Sequence, residues 1–237
     1  MTQAGALVQA NCETLSGLVI HQLKAKGAPF IIGAGIPPMD MTTSMCSYGA
    51  PEEVKNCALM VTMAQFYNLP VFTTSGCSDA QVFDQQAGME AGFSLLASAL
   101  AGGNIIHDLG YIGMGMTSCM EMIALCNETV GMAKYFLKGL EITRETLALD
   151  IIDHVGPGGN YFAESHTFDH FKNHMFFSKL LNRKPHDQWE KDGATTFGER
   201  ANQKVREILD NHRAPEVPAD LEARVREITA GRDAQVR

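Results

Sequence analysis

The 237-residue chain is 45% hydrophobic and 19% charged, enough apolar material for a sizeable core, which excludes an intrinsically disordered polypeptide. Nineteen Lys and Arg against 27 Asp and Glu leave a formal charge of −8 with no basic run. That excludes a nucleic-acid binder, because phosphate contacts need clustered cations.

The elements read in chain order as follows. Val8, Leu15, Val19 and Leu23 recur near every fourth position and predict a helix from about Gln3 to Lys26, closed by Gly27. Pro29–Ile32 reads as a short buried strand leaving through the loop Gly33–Pro38. Pro51 followed by Glu52 and Glu53 opens a second helix that runs to about Tyr67. Leu69–Thr74 is the second strand and Ser75–Asp79 its exit loop. A third helix spans about Asp84 to Ala101, with Met89, Phe93, Leu96, Ala97 and Leu100 as its expected inner stripe. Asn104–His107 is the third strand, leaving through Asp108–Gly110, and a fourth helix covers about Thr117 to Leu137.

Strand, loop and helix in repetition is the rhythm of a parallel sheet, with residues 29–33, 70–74 and 104–107 as neighbouring strands. In such sheets sites are built at the C-terminal ends of the strands, where these glycine-rich loops lie. After Leu137 the rhythm stops. Thr143 caps a helix to about His154, Gly156–Gly159 breaks it, and Phe168–Lys179 and Thr196–Asn211 are helical. Thr196 and Glu199 have capping-box spacing. From Ala214 onward the charges and prolines read as a surface helix or flexible tail.

Met1–Cys12 lacks the basic start and apolar core of a signal peptide, and no stretch has the roughly 18 uncharged apolar residues of a spanning helix. Six cysteines without a CxxC pair read as reduced thiols. The expectation is a cytoplasmic protein with no membrane association. Thirteen methionines against one tryptophan suit an adaptable core.

Gly33–Met41, then Asp79 with Asp84–Glu90, then Glu145–Asp150, Gly156–Gly159 with His166–Thr167, and Glu199–Asn202 follow one another along the chain. In this order these runs resemble the trimethylamine methyltransferase family, which includes demethylases of glycine betaine and other quaternary amines. The order and spacing over residues 5 to 212 carry the resemblance more than any single run. It implies an α/β fold, the C-terminal half of a TIM (β/α)8 barrel with a helical C-terminal appendage. Residues 1–140 would be the half-barrel, 141–213 the appendage and 214–237 the tail. Family members are roughly twice this length, so the resemblance implies a complementing N-terminal half or a homo-oligomer that covers the open edges.

The resemblance further implies transfer of a methyl group from a quaternary or tertiary amine to the cobalt of a corrinoid, cob(I)alamin becoming methylcobalamin, carried on a partner protein. No metal is expected to bind this chain directly. The chain shows only standard residues, which places it closer to the branch without pyrrolysine. A quaternary ammonium has no lone pair, so the site needs a cation-holding cavity that aligns one N–CH3 bond and excludes water. Candidate substrate-binding residues are Asp79, Asp40 and His107 at strand exits, with Asp108 beside them. Tyr48, Tyr161 and Phe162 are candidate cage walls, and His166, just beyond the glycine turn, is a candidate facing the cavity. The plainer reading of Asp79 is a loop or N-cap residue ahead of the third helix, and that of the aromatics is core packing.

His166, His170 and His174 stand at i, i+4 and i+8, but a row along one helix does not curl easily around a tetrahedral ion, so solvated or capping histidines are the better reading. Cys77 sits at a strand exit without a local histidine to activate it. Gly156–Gly159 follows a helix, not a strand, which rules out a phosphate-cradling loop. The alternatives to an enzyme are a catalytically silent binding or scaffold subunit and a truncated relic of the same family.

Overall fold

The computed structural model describes residues 1–33 and 35–236. Three short strands, β1 (Ile32–Gly33), β2 (Val71–Thr74) and β3 (Ile105–His107), form a parallel sheet in that order. Ile32 stands opposite Val71 and Thr74 opposite His107. The expected parallel arrangement is present, with each strand shorter than its apolar run.

Helix α1 (Gln3–Lys24) precedes β1, α2 (Pro51–Tyr67) joins β1 to β2, and α3 (Gln85–Ala101) joins β2 to β3. Pro51 lies in the first turn of α2, and Glu52 and Glu53 beside it complement the helix dipole. Asn68 ends α2 in the left-handed conformation. Asp84 caps α3 by accepting from the Ala87 amide at 3.1 Å, and Gly102 ends it. Thus Asp84, not Asp79, is the N-cap.

The core differs from the expected stripes. On α1, Val8 is 64% and Leu23 83% exposed, while Leu7 and Ala10 pack toward α2. On α3, Met89, Phe93 and Leu100 face outward, and Ala87, Ala91, Ser94, Leu95 and Ser98 are buried. The small residues let α3 lie close to the sheet, and Ser94 and Ser98 bond the loop after β2: Ser94 accepts from the Gly76 amide at 3.0 Å, and Ser98 meets the Ser75 hydroxyl at 2.6 Å. Gly33 is required where it stands, since a Cβ there would fall inside the Phe72 ring.

Residues expected to begin the fourth helix form a hairpin instead. Strands β4 (Tyr111–Ile112) and β5 (Thr117–Ser118) pair antiparallel around a turn in which Gly113, Met114 and Gly115 all have positive φ. Helix α4 (Met120–Leu137) then buries Met122 and Cys126 against α3.

The remaining helices are α5 (Arg144–Leu147), α6 (Leu149–Val155), α7 (Ser165–His174), α8 (His186–Lys191), α9 (Phe197–Asn211) and α10 (Ala219–Val236). The single helix expected from Thr143 is interrupted at Ala148, whose left-handed backbone closes α5 on Glu145. Helix α8 had no periodic signal, and α7 stops at His174, short of the expected Lys179. Polar clasps fix the appendage to α4. Glu128, buried, accepts from the Ser178 hydroxyl and the Lys179 amide, Glu121 accepts from Asn202 at 2.5 Å, and the Tyr135 hydroxyl donates to His174 O at 2.7 Å.

Beyond its paired side, each outer strand has no neighbour among the described residues. Ile31 and Ile105 beside these edges, together with Val8, Ile20, Leu23 and Phe66, are exposed. Bare strand edges flanked by apolar side chains recruit partners. In size-exclusion chromatography with light scattering, the 237-residue chain alone should therefore run as a dimer or larger species. A sharp monomeric peak with a cooperative melt would show that these edges are tolerated.

Candidate functional site

The C-terminal ends of β1, β2 and β3 gather the loops 35–50, 75–84 and 108–119 on one side of the sheet. Asp79 ties two of them together. Its carboxylate accepts from the Ser47 hydroxyl through Oδ2 and from the Tyr48 amide at 2.9 Å through Oδ1. Glu90, one and a half turns into α3, continues the network: Oε2 accepts from the Ser78 hydroxyl at 2.5 Å and the Asp79 amide at 2.9 Å, and Oε1 from Gln86 at 2.9 Å. Gly49 makes room for it, since a Cβ there would lie 2.3 Å from the Glu90 carboxylate. The motif Asp79…Asp84–Glu90 is thus a latch that sets the loop carrying Tyr48.

Tyr48 is half-buried, and a Cβ on Gly115 of the hairpin turn would lie 3.5 Å from its ring. Burial, reinforced by the charges of Cys46, Glu53 and Asp108, pushes its phenol above the ordinary range. His107, at the end of β3, holds Asp108 Oδ1 at 2.9 Å through Nδ1 and lies against the Phe72 ring, with centroids 4.9 Å apart. Its Nε2 is turned inward without a hydrogen-bond partner. Asp108 carries a positive φ of 72°, so the chain bends sharply where β3 ends.

Sequence reasoning passed over Glu53, which is 1% exposed in the first turn of α2. The Cys57 thiol approaches its Oε1 at 3.5 Å, and its Oε2 is buried with no partner. Burial pushes its carboxyl up to about 7, although the neighbouring Cys57 thiol and Ile36 amide favour the charged form. Cys57 and Cys77 are buried beside it, and burial first of all pushes both thiols to about 12. Cys77 therefore stays a thiol at neutral pH and is no nucleophile.

Of the other sequence candidates, Asp40 lies in the loop after β1 but serves its own turn, and the rest lie in the appendage. Asp40 is exposed and closes its own turn, accepting from the Thr42 and Thr43 amides at 2.8 Å, and these bonds hold its carboxyl below the ordinary value. Tyr161 and Phe162 lie in the α6–α7 loop, Phe162 92% exposed. His166 approaches Glu145 O at 3.0 Å and stacks near His170 at 4.3 Å, while His170 faces the Glu145 carboxylate at 3.3 Å. The hydrogen-bond partners of Tyr161, Phe162 and His166 lie within the appendage. Among the described residues, no group of three or more His, Cys, Asp or Glu is placed to hold a metal ion. Among the described residues, no helix is long and apolar enough to cross a membrane.

One signal for this edge was available in the charges. Residues 27–133 contain nine Asp and Glu against a single Lys, Lys55, and no Arg, so they account for the whole net charge of −8. The other 18 acidic and 18 basic residues cancel. Lys55 is exposed, which leaves no Lys or Arg to neutralise the strand-exit carboxylates from within this segment. An edge of that charge suits a cation.

The model of the family described as trimethylamine methyltransferase (MTTB) matches residues 1–237. The chain is 36% identical over 228 residues to a trimethylamine methyltransferase of Desulfitobacterium hafniense, covering 96% of this chain and 46% of that protein. A trimethylamine methyltransferase of Methanosarcina mazei is 36% identical over 221 residues, covering 92% and 44%. A glycine betaine methyltransferase of Desulfitobacterium hafniense is 31% identical over 238 residues, covering 98% and 49%. The chain spans about half the length of the curated relatives it matches. With the parallel sheet and its acidic exit edge, these matches establish that the chain belongs to the trimethylamine methyltransferase family.

Proposed function

We propose that the chain forms the C-terminal half of a TIM-barrel methyltransferase that acts on a quaternary or tertiary amine such as glycine betaine. The methyl acceptor is a corrinoid carried on a partner protein in the cytoplasm. The observation that supports this most is the acidic edge at the ends of three parallel strands, in a chain whose relatives are named as methyltransferases of trimethylamine and glycine betaine. A cationic methylammonium donates no N–H bond when fully substituted, so its partners are charge and aromatic surface, and Tyr48, Asp79, Glu53 and Asp108 supply both.

The corrinoid would supply the nucleophile that takes the methyl group, and the amine nitrogen would keep the electron pair of the C–N bond. A quaternary amine, or a tertiary one bound as its ammonium ion, leaves as a neutral amine without taking up a proton, so the residues of this chain need only bind, orient and exclude water. Asp79 orients the Tyr48 segment, and Glu90 orients Asp79. The acceptor arrives on its own carrier, which asks of this edge an adaptable rim rather than ligands. Met39, Met41 and Met45 in the loop after β1 and Met116 in the adjoining hairpin are exposed and fit that use.

A test is to supply the earlier half of the barrel from a relative and follow methylation of cob(I)alamin by its absorbance. Turnover with glycine betaine or another methylated amine is expected. No transfer from any methylated amine by a folded, complemented protein would favour a catalytically silent subunit. That second reading draws on the bare sheet edges and on the half-length match.

A further inference from the structure

Glu53 combines three features that a helix-terminal carboxylate usually lacks. It is 1% exposed, its Oε2 makes no full hydrogen bond although the Cys57 thiol and the Ile36 amide lie near the carboxyl, and among the described residues no Lys, Arg or His forms an ion pair with it. Asn56, one turn on, donates to Ile36 O at 2.7 Å and likewise keeps a buried Oδ1 without a donor. Two orphaned acceptors beneath one loop are costly if the carboxyl is ionised, because a buried anion without a counter-charge loses its hydration. A proton on Oε2 removes the charge and turns one of the two acceptors into a donor.

We infer that Glu53 is the charge-compensating residue of the amine site, protonated while the site is empty and ionised when a quaternary ammonium enters, so that binding expels a proton. The inference rests on the reading of the chain as an amine methyltransferase. The step balances: the carboxyl loses its proton to solvent, and the carboxylate left behind neutralises the ligand's fixed positive charge. Glu53 acts through the field and is a positioning residue, with its carboxyl behind the loop that carries Tyr48.

The titratable groups around it are Cys57 on its own helix, Cys46 and Tyr48 on the loop after β1, and Cys77 on the loop after β2. Asp79 and Asp108 lie one shell farther out, acting on Cys46, Tyr48 and Cys77, and His107 is paired with Asp108. All four thiol and phenol groups are shifted upward, Cys57 and Cys77 to about 12, whereas the Glu53 carboxyl sits at about 7. The thiols and the phenol therefore supply no proton near neutrality.

Tetramethylammonium is a suitable probe, since it carries no proton of its own. Calorimetric titration of the chain complemented with the earlier barrel half at pH 7, in buffers of different ionisation enthalpy, should show release of about half a proton per ligand. Affinity should rise about tenfold from pH 6 to pH 8. Glu53→Gln should abolish the release and flatten the pH profile, and the wild-type profile stands as a test even if the variant folds poorly. Binding without release, or release that persists in Glu53→Gln, would overturn the role of Glu53 and leave the amine reading intact. No binding of any quaternary ammonium by the complemented wild-type protein would overturn both.

Discussion

Glu53→Gln should make the isolated chain more stable at pH 8 by about 3 kcal/mol while changing it little at pH 4.5. The sign follows from the carboxyl at about 7 in the folded chain against an ordinary value of 4.5. Between those two values the folded state holds a proton that the unfolded state has released. Wild-type stability therefore falls as pH rises from 4.5 to 7 and is flat above 7 on account of this group. Glutamine keeps the shape and an acceptor for Ile36 and removes the buried charge. Denaturant unfolding at pH 5, 6, 7 and 8 reads the effect, and parallel curves for wild type and Glu53→Gln would show that burial does not hold this proton.

Asp79→Ala should cost about 2 kcal/mol in stability, since it removes a charged acceptor from the Tyr48 amide and the Ser47 hydroxyl together. The larger consequence is local. With its anchor gone, the 39–48 segment should be cut by protease well before the rest of the chain, and amine binding should fall tenfold or more. Asp79→Asn retains an acceptor for the Tyr48 amide and should lose less than half of that stability. Unchanged proteolysis at residues 39–48 in Asp79→Ala would mean that the loop is held by Glu90 and its own turn instead.

The same geometry gives a physical account of the residues that carried the family resemblance. Asp84 caps α3, and Glu90 binds the loop after β2. Glu199 completes the Thr196 capping box, Arg200 donates to Leu180 O at 2.8 Å and to Thr195 O at 2.5 Å, Ala201 is buried, and Asn202 reaches Glu121. These runs hold loops and docking faces in place. A search for chemistry along them would have found mostly latches.

What the sequence determined by itself was the local grammar. Pro51 and the acidic pair after it, Asp84 ahead of an apolar run, Thr196 with Glu199, and the short apolar stretches between helices each have a mechanism that acts within a few residues. They placed α2, α3, α9 and the three parallel strands. Only the tertiary structure decided which faces are inside, because α1 and α3 are apolar on more than one side and periodicity alone cannot choose among them. Small residues won on α3, since close approach to the sheet buries Ala87, Ala91, Ser94 and Ser98 while Met89 and Phe93 remain outside. The site shows the same division. The positions of Asp79 and His107 at the strand-exit edge were legible from the strand ends, whereas Tyr48 stood out only as an aromatic side chain. Glu53 was not legible, because a carboxylate in the first turn of a helix reads as a solvated partner of the dipole. Its burial comes from the loop of residues 35–50 folding over it, a contact that no local pattern encodes.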